Sequence, residues 1–225
     1  MCERFMSNRK TTRYSQIRGH MKAACLALLC SFVLLTGCGS YHQVQVDSLR
    51  APEAASGPCL LVAGETGMPD DELIFQEVCR LLTPALIDAG YPPVKDPSAL
   101  MLTRLSFWQE EPETVYYTSY ESRYKPITRK GKTEHILVEE PVLESYTNYT
   151  AILLLECHVR SHKGTLGPQL WRTKVRVIGP VNDFRSLVSS AALALQGGVL
   201  ASQSQGQRYF EVSVNDKGER SVKEK

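Results

Sequence analysis

An unbroken run of small and apolar residues, thirteen long from Ala23 to Leu35, lies between Lys22 and Thr36-Gly37-Cys38. As a helix it would reach about 20 Å, whereas the hydrocarbon core of a bilayer takes roughly 20 residues to cross. A charged lead, a short apolar centre and small residues before a cut site mark a secretory signal rather than a membrane span. Residues 1–37 are therefore expected to be removed, leaving the fold to the chain from Cys38 onward. Arg4, Arg9, Lys10, Arg13 and Arg18 make a long basic lead, while Met21-Lys22 alone is a compact one, so translation is expected to start at Met21.

Leu35-Thr36-Gly37-Cys38 resembles the lipobox of bacterial lipoproteins. The resemblance implies diacylglycerol on the Cys38 thiol, cleavage before that residue, and an acyl chain such as palmitate on the new N-terminus. The first expected partner is thus a membrane, reached through Cys38. In Gram-negative lipoproteins an aspartate after the cysteine commonly signals retention in the inner membrane. Gly39 stands there instead, which implies an outer-membrane anchor with the domain in the periplasm.

Without the leader the charge balance reverses. Of 26 basic and 24 acidic residues, six and one respectively precede Cys38, leaving 20 against 23. Nucleic-acid binders ordinarily carry a basic bias, so nucleic acid is discounted. The 188 residues from Cys38 to the end suit one domain of ordinary size plus a tether. Cys59, Cys79 and Cys157 are too few and too scattered for a disulfide framework, and whether two of them pair stays open.

Residues 38–58, rich in Ser, Pro and Gly, read as a lipidated anchor and tether, with Val44 and Val46 the sole hint of an early strand. Cys59 to Ala63 reads as a buried strand. Asp70 can cap a helix, with Asp71 and Glu72 at its positive end. Ile74, Val78, Leu81, Leu82, Ala85 and Leu86 form its apolar stripe, Gly90 ends it, and Pro84 is expected to kink or divide it. Segments 99–108, 114–124, 134–138 and 146–159 are rich in β-branched, aromatic and apolar residues and predict antiparallel strands. From Leu170 to Ile178, Arg172, Lys174 and Arg176 alternate with Trp171, Thr173, Val175 and Val177, the pattern of a half-exposed strand. Asn182 or Asp183 caps a second helix whose stripe is Phe184, Leu187, Val188, Ala191, Leu195 and Val199. Tyr209 to Val214 reads as a last strand and 215–225 as a flexible charged tail. The order predicts a single α+β domain over 59–214. Its expected form is a two-layer sandwich, a mostly antiparallel sheet with both amphipathic helices packed on one face.

The Leu86-Ile87-Asp88-Ala89-Gly90-Tyr91 turn and the Asp96-Pro97-Ser98-Ala99-Leu100 approach to a strand, together with the lipobox, resemble bacterial lipoproteins grouped as domain of unknown function 4136. The resemblance spans Cys38 to Val214 and rests on structural punctuation. It implies an envelope location and an α+β fold, and it transfers no catalytic residue or cofactor.

Candidate chemistry is sparse. Cys157-His158 and His162 are soft and borderline ligands, but residues four apart on a strand stand roughly 13 Å apart, so no metal is expected. Glu110, Glu111 and Glu113 against Glu139, Glu140 and Glu144 offer a carboxylate pair of the glycosidase kind only if the fold brings them together. No Gly-x-Ser-x-Gly elbow or phosphate-cradling loop occurs, so no catalytic residue is assigned and no cofactor is expected. Tyr116, Tyr120 and Tyr124 share one strand face by their even spacing, beside a basic loop of Arg123, Lys125, Arg129, Lys130 and Lys132. These are the expected binding residues. The expected role is non-enzymatic binding of an envelope protein, glycan or lipid. The alternative is a periplasmic hydrolase acting on cell-wall or glycan substrates.

Overall fold

The computed structural model describes residues 40–64, 72–129, 131–161, 166–203, 206–215 and 217–225. The leader, Cys38, Asp70, Asp71, Lys130 and His162 lie outside the described residues. The strands are β1 (Ser40–Arg50), β2 (Cys59–Ala63), β3 (Pro93–Val94), β4 (Met101–Gln109), β5 (Glu113–Arg129), β6 (Lys132–Arg160), β7 (Leu166–Gly179), β8 (Arg208–Val214) and β9 (Arg220–Glu224). Helix α1 (Leu73–Asp88) lies between β2 and β3, and α2 (Phe184–Ala194) between β7 and β8.

The strands form one mixed sheet in the order β3-β2-β4-β6-β7-β1-β8-β9, with β5 attached to β6 alone. The expectation of a mostly antiparallel sheet is corrected here. β2 runs parallel to both β3 and β4, because α1 carries the chain back along the sheet before the next strand begins. A parallel pair needs such a crossover, whereas hairpins make the antiparallel ones. The tether is also shorter than expected: Ser40–Arg50 is an inner strand, paired with β7 on one side and β8 on the other. Its even positions His42, Val44, Val46 and Ser48 are buried while Tyr41 and Leu49 are exposed, a period-two pattern masked by glutamines and serine. Nor is 215–225 wholly a free tail, since Arg220–Glu224 pairs with β8 and Arg208 bridges to Glu224 at 2.7 Å.

The core obeys the alternation. Val46, Val175, Leu153 and Phe107 lie in one row across β1, β7, β6 and β4, and Ser48, Thr173, Leu155 and Leu105 in the next. All eight are buried. The two hydroxyls in that second row satisfy each other at 2.8 Å, and Thr173 also accepts the Ala201 N–H at 3.2 Å. Arg172, Lys174 and Arg176 point to the opposite face, as their alternation predicts.

Both helices contribute to the same buried cluster. In α1 the buried residues are Phe75, Val78, Leu82, Ala85 and Leu86; the last four belong to the expected stripe, Leu81 is half-buried against the core, and Phe75 takes the place of Ile74, which is exposed. Pro84 sits inside one continuous helix, and the hydroxyl of Thr83 donates to the Cys79 carbonyl at 2.8 Å. Gly90, at φ 85°, ends it. The Tyr91 and Gly90 N–H groups return to the Leu86 and Ile87 carbonyls, the Schellman pattern. That turn buries Tyr91 against Trp171, their ring centroids 5.2 Å apart. Asp183 caps α2 by accepting the Arg185 N–H at 3.1 Å.

The break expected between 124 and 134 narrows to the turn after Arg129, and the one expected between 138 and 146 does not occur. β6 runs through Glu139-Glu140-Pro141 without interruption, and β5 pairs with it from Glu113↔Asn148 to Arg129↔Lys132. Only the second half of β6 joins the sheet, through β4 and β7. The first half and β5 make a two-stranded ribbon about 53 Å long at 3.3 Å per residue.

Candidate functional site

Strand geometry sorts the ribbon into two faces, because residues directly opposite in the ladder share a face. Tyr116 lies opposite Ser145, Thr118 opposite Leu143, Tyr120 opposite Pro141, and Tyr124 opposite Leu137. This face bears a single carboxylate between those rungs, Glu139, opposite Ser122. The tyrosines are 68%, 69% and 72% exposed and Leu143 is 71% exposed. Large apolar groups that open to solvent are uncommon in such a contiguous row and mark interaction sites. Tyr116 and Tyr124 stand about 26 Å apart, eight residues at 3.3 Å.

The cations expected beside the tyrosines lie on the other face. Arg123, Lys125 and Arg129 occupy odd positions of β5, and Lys132 is opposite Arg129. Arg123 bridges to Glu121 at 2.8 Å and Lys125 to Glu140. The Lys125 ammonium holds the Glu140 carboxyl below its ordinary range. Glu144 is held low as well, by the Ser119 hydroxyl at 2.6 Å and then by the Tyr117 hydroxyl. Arg123, Lys125, Glu121, Glu140 and Glu144 are therefore satisfied within the ribbon. The residues that sequence reasoning missed are Leu137, Pro141 and Leu143, which complete the tyrosine face. Parity was the available signal: the tyrosines hold even numbers, the basic residues of β5 odd ones.

The carboxylate groups do not converge. Glu113 lies eight rungs from Glu121↔Glu140 and four from Tyr117↔Glu144. That puts its backbone roughly 26 Å and 13 Å from the two glutamates, beyond the roughly 5–9.5 Å of a glycosidase pair. Glu110 instead bridges to Arg176 at 3.3 Å. Cys157 points into the core, and His158, next along the strand, points away from it and lies 3.2 Å from the Gly167 carbonyl.

One His–Ser pair is present. His42 Nδ1 lies 2.7 Å from Ser190 Oγ, but both side chains are buried between β1 and α2. Burial, then the Arg220 guanidinium, lower the His42 pKa against an opposing pull from Asp183. The pair is an internal hydrogen bond out of a substrate's reach. Two shallow grooves of about 140 Å³ lie on the solvent face of the sheet and share Gln45 and Arg176.

No protein-family model and no curated protein matches the chain. Among solved structures, a PDZ domain protein from Parabacteroides distasonis is similar over 82% of this chain and 41% of its own, at 10% identity and TM-score 0.38. The chain thus spans less than half the length of that protein. The dodecameric PelC from Paraburkholderia phytofirmans is similar over 72% of this chain and 99% of its own, at 14% identity and TM-score 0.35. Likeness of this degree assigns neither fold nor function.

Proposed function

We propose that this chain is a cell-envelope lipoprotein, anchored through lipid on Cys38, with a non-enzymatic binding role in envelope assembly or maintenance. The observation that carries the binding part is the exposed tyrosine and leucine face of the ribbon, which has no other use within the described residues. Tyrosine suits the task because its ring offers apolar area at little entropic cost while its hydroxyl stays hydrated. The reading takes α1 and α2 as one layer over the buried sheet face, so that the ribbon extends clear of them. It keeps the resemblance to domain of unknown function 4136 and an outer-membrane anchor facing the periplasm.

Changing Tyr116, Tyr120 and Tyr124 together to Ser is expected to abolish in-cell crosslinks to an envelope component while expression and lipidation persist. Unchanged crosslinks would overturn the binding surface. Cys38→Ser is expected to move the protein out of the outer-membrane fraction, and recovery of wild type mainly from the inner membrane would overturn the location. The hydrolase alternative draws no support from the wide separation of Glu113 from Glu140 and Glu144 or from the buried His42–Ser190 pair.

A further inference from the structure

The ribbon leaves two long backbone edges uncovered. β5 pairs with β6 alone, and residues 132–148 of β6 pair with β5 alone. A lone two-stranded hairpin is marginal in water, and an uncovered edge is a template for another strand.

We infer that the two edges pair with each other between copies of this chain, β5 of one beside the outer half of β6 of the next. Three observations single out a second copy. First, one copy supplies both kinds of edge, so a head-to-tail arrangement covers every ribbon edge if the ring closes. Second, charge is divided between the strands. On the charged face the outer part of β5 carries three cations, Arg123, Lys125 and Arg129, to the one carboxylate of Glu121, while β6 carries Glu134, Glu140 and Glu144 to the one cation of Lys132. Among the described residues neither Arg129 nor Glu134 joins an ion pair. Setting β5 of one copy beside β6 of the next brings the cationic strand against the anionic one. Third, Glu139 interrupts the tyrosine face, which disfavours burying that face in hydrocarbon as an alternative.

Pro126 and Pro141 limit this arrangement without forbidding it. The ladder within the hairpin includes both residues, so the donor that each lacks belongs on the open side. An edge-to-edge ladder loses a bond at those two rungs and keeps its other donors. The inference concerns the edges and stands whatever the tyrosine face binds.

The test is the molar mass of the mature, lipidated chain in detergent micelles, by light scattering with the detergent contribution subtracted, up to roughly 100 µM. A multimer is expected for wild type. Thr118→Pro with Ser122→Pro adds prolines at the parity of Pro126. That variant should dissociate at least about tenfold more readily, with the melting temperature of wild type when both are compared as dilute monomers. Thr118→Ala with Ser122→Ala should assemble as wild type. If the proline variant melts early, Glu134→Lys serves instead, and weaker assembly is expected. A monomeric wild type, or a multimer indifferent to the folded edge variant, would overturn the inference.

Discussion

Arg123 and Tyr124 are neighbours in the chain, yet they lie on opposite faces of the ribbon, the arginine paired with Glu121 and the tyrosine opposite Leu137. The separation gives the ribbon one face that mixes charge with the Tyr117–Tyr146 ring pair and one on which Tyr116, Tyr120 and Tyr124 stand free of ion pairs. It also makes the ribbon separable, by substitution, from the core that stabilises the fold.

Replacing Tyr116, Tyr120 and Tyr124 with Ser should therefore leave stability within about 0.5 kcal/mol per site, as expected for exposed positions. Leu155→Ala, in the buried row beside Thr173, should cost about 2–5 kcal/mol. Urea denaturation of the Cys38→Ser variant and of each substitution made in it measures both. A large loss from the tyrosine changes would mean that the rings support the fold.

His42 sets a pH dependence. Burial holds its pKa below the ordinary 6.5, so the unfolded chain takes up a proton that the native state resists. The contribution is present above that ordinary value and is lost as pH falls through it toward the lower folded pKa. Denaturation midpoints should drop on acidification across this window, and the drop should be smaller in His42→Gln. An identical pH profile in the two proteins would contradict the assignment.

Gly179 lies against the same histidine. A Cβ there would come 2.6 Å from His42 Cδ2 and 2.9 Å from Leu187 Cδ2. Gly179→Ala should cost about 1–3 kcal/mol, the usual range for overpacking. Calorimetry showing no change would mean that β7 yields at this point.

The cysteines answer to topology. Cys59 is on β2 and Cys157 on β6, with β4 between them. Two strand spacings of about 4.8 Å exceed the roughly 7 Å limit for a disulfide between Cα atoms. Burial raises both thiols, that of Cys157 to about 11. Both should resist thiol reagents in the native state and react on unfolding, as mass spectrometry after alkylation would show. Rapid native labelling of either would contradict the packing.

Much of the sheet was legible because alternation is a local signal: Trp171, Val175 and Val177 are buried and Arg172, Lys174 and Arg176 face away, as their order predicts. The first turn of α1 is harder to read, since Leu73, Ile74 and Phe75 are all apolar and only the tertiary fit selects Phe75. β1 is hidden because an inner strand flanked by two partners still carries glutamines on its second, open face. β6 reads as two pieces, 134–138 and 146–159, because Glu139, Glu140 and Pro141 resemble a break. On a strand edge, proline removes no bond that the hairpin uses. The parallel placement of β2 depends on long-range pairing that no local pattern records.

Photo-crosslinking in living cells from opposite faces of the ribbon separates a binding face from a merely exposed one. A photoreactive residue replaces Tyr120 in one strain and Tyr117 in another, with Cys38 intact and then as Cys38→Ser. Position 120 should capture a discrete envelope component other than the chain itself, position 117 should not, and the product should vanish without the anchor. Equal capture from both faces, or none from position 120 in lipidated protein, would contradict a binding role for the tyrosine face.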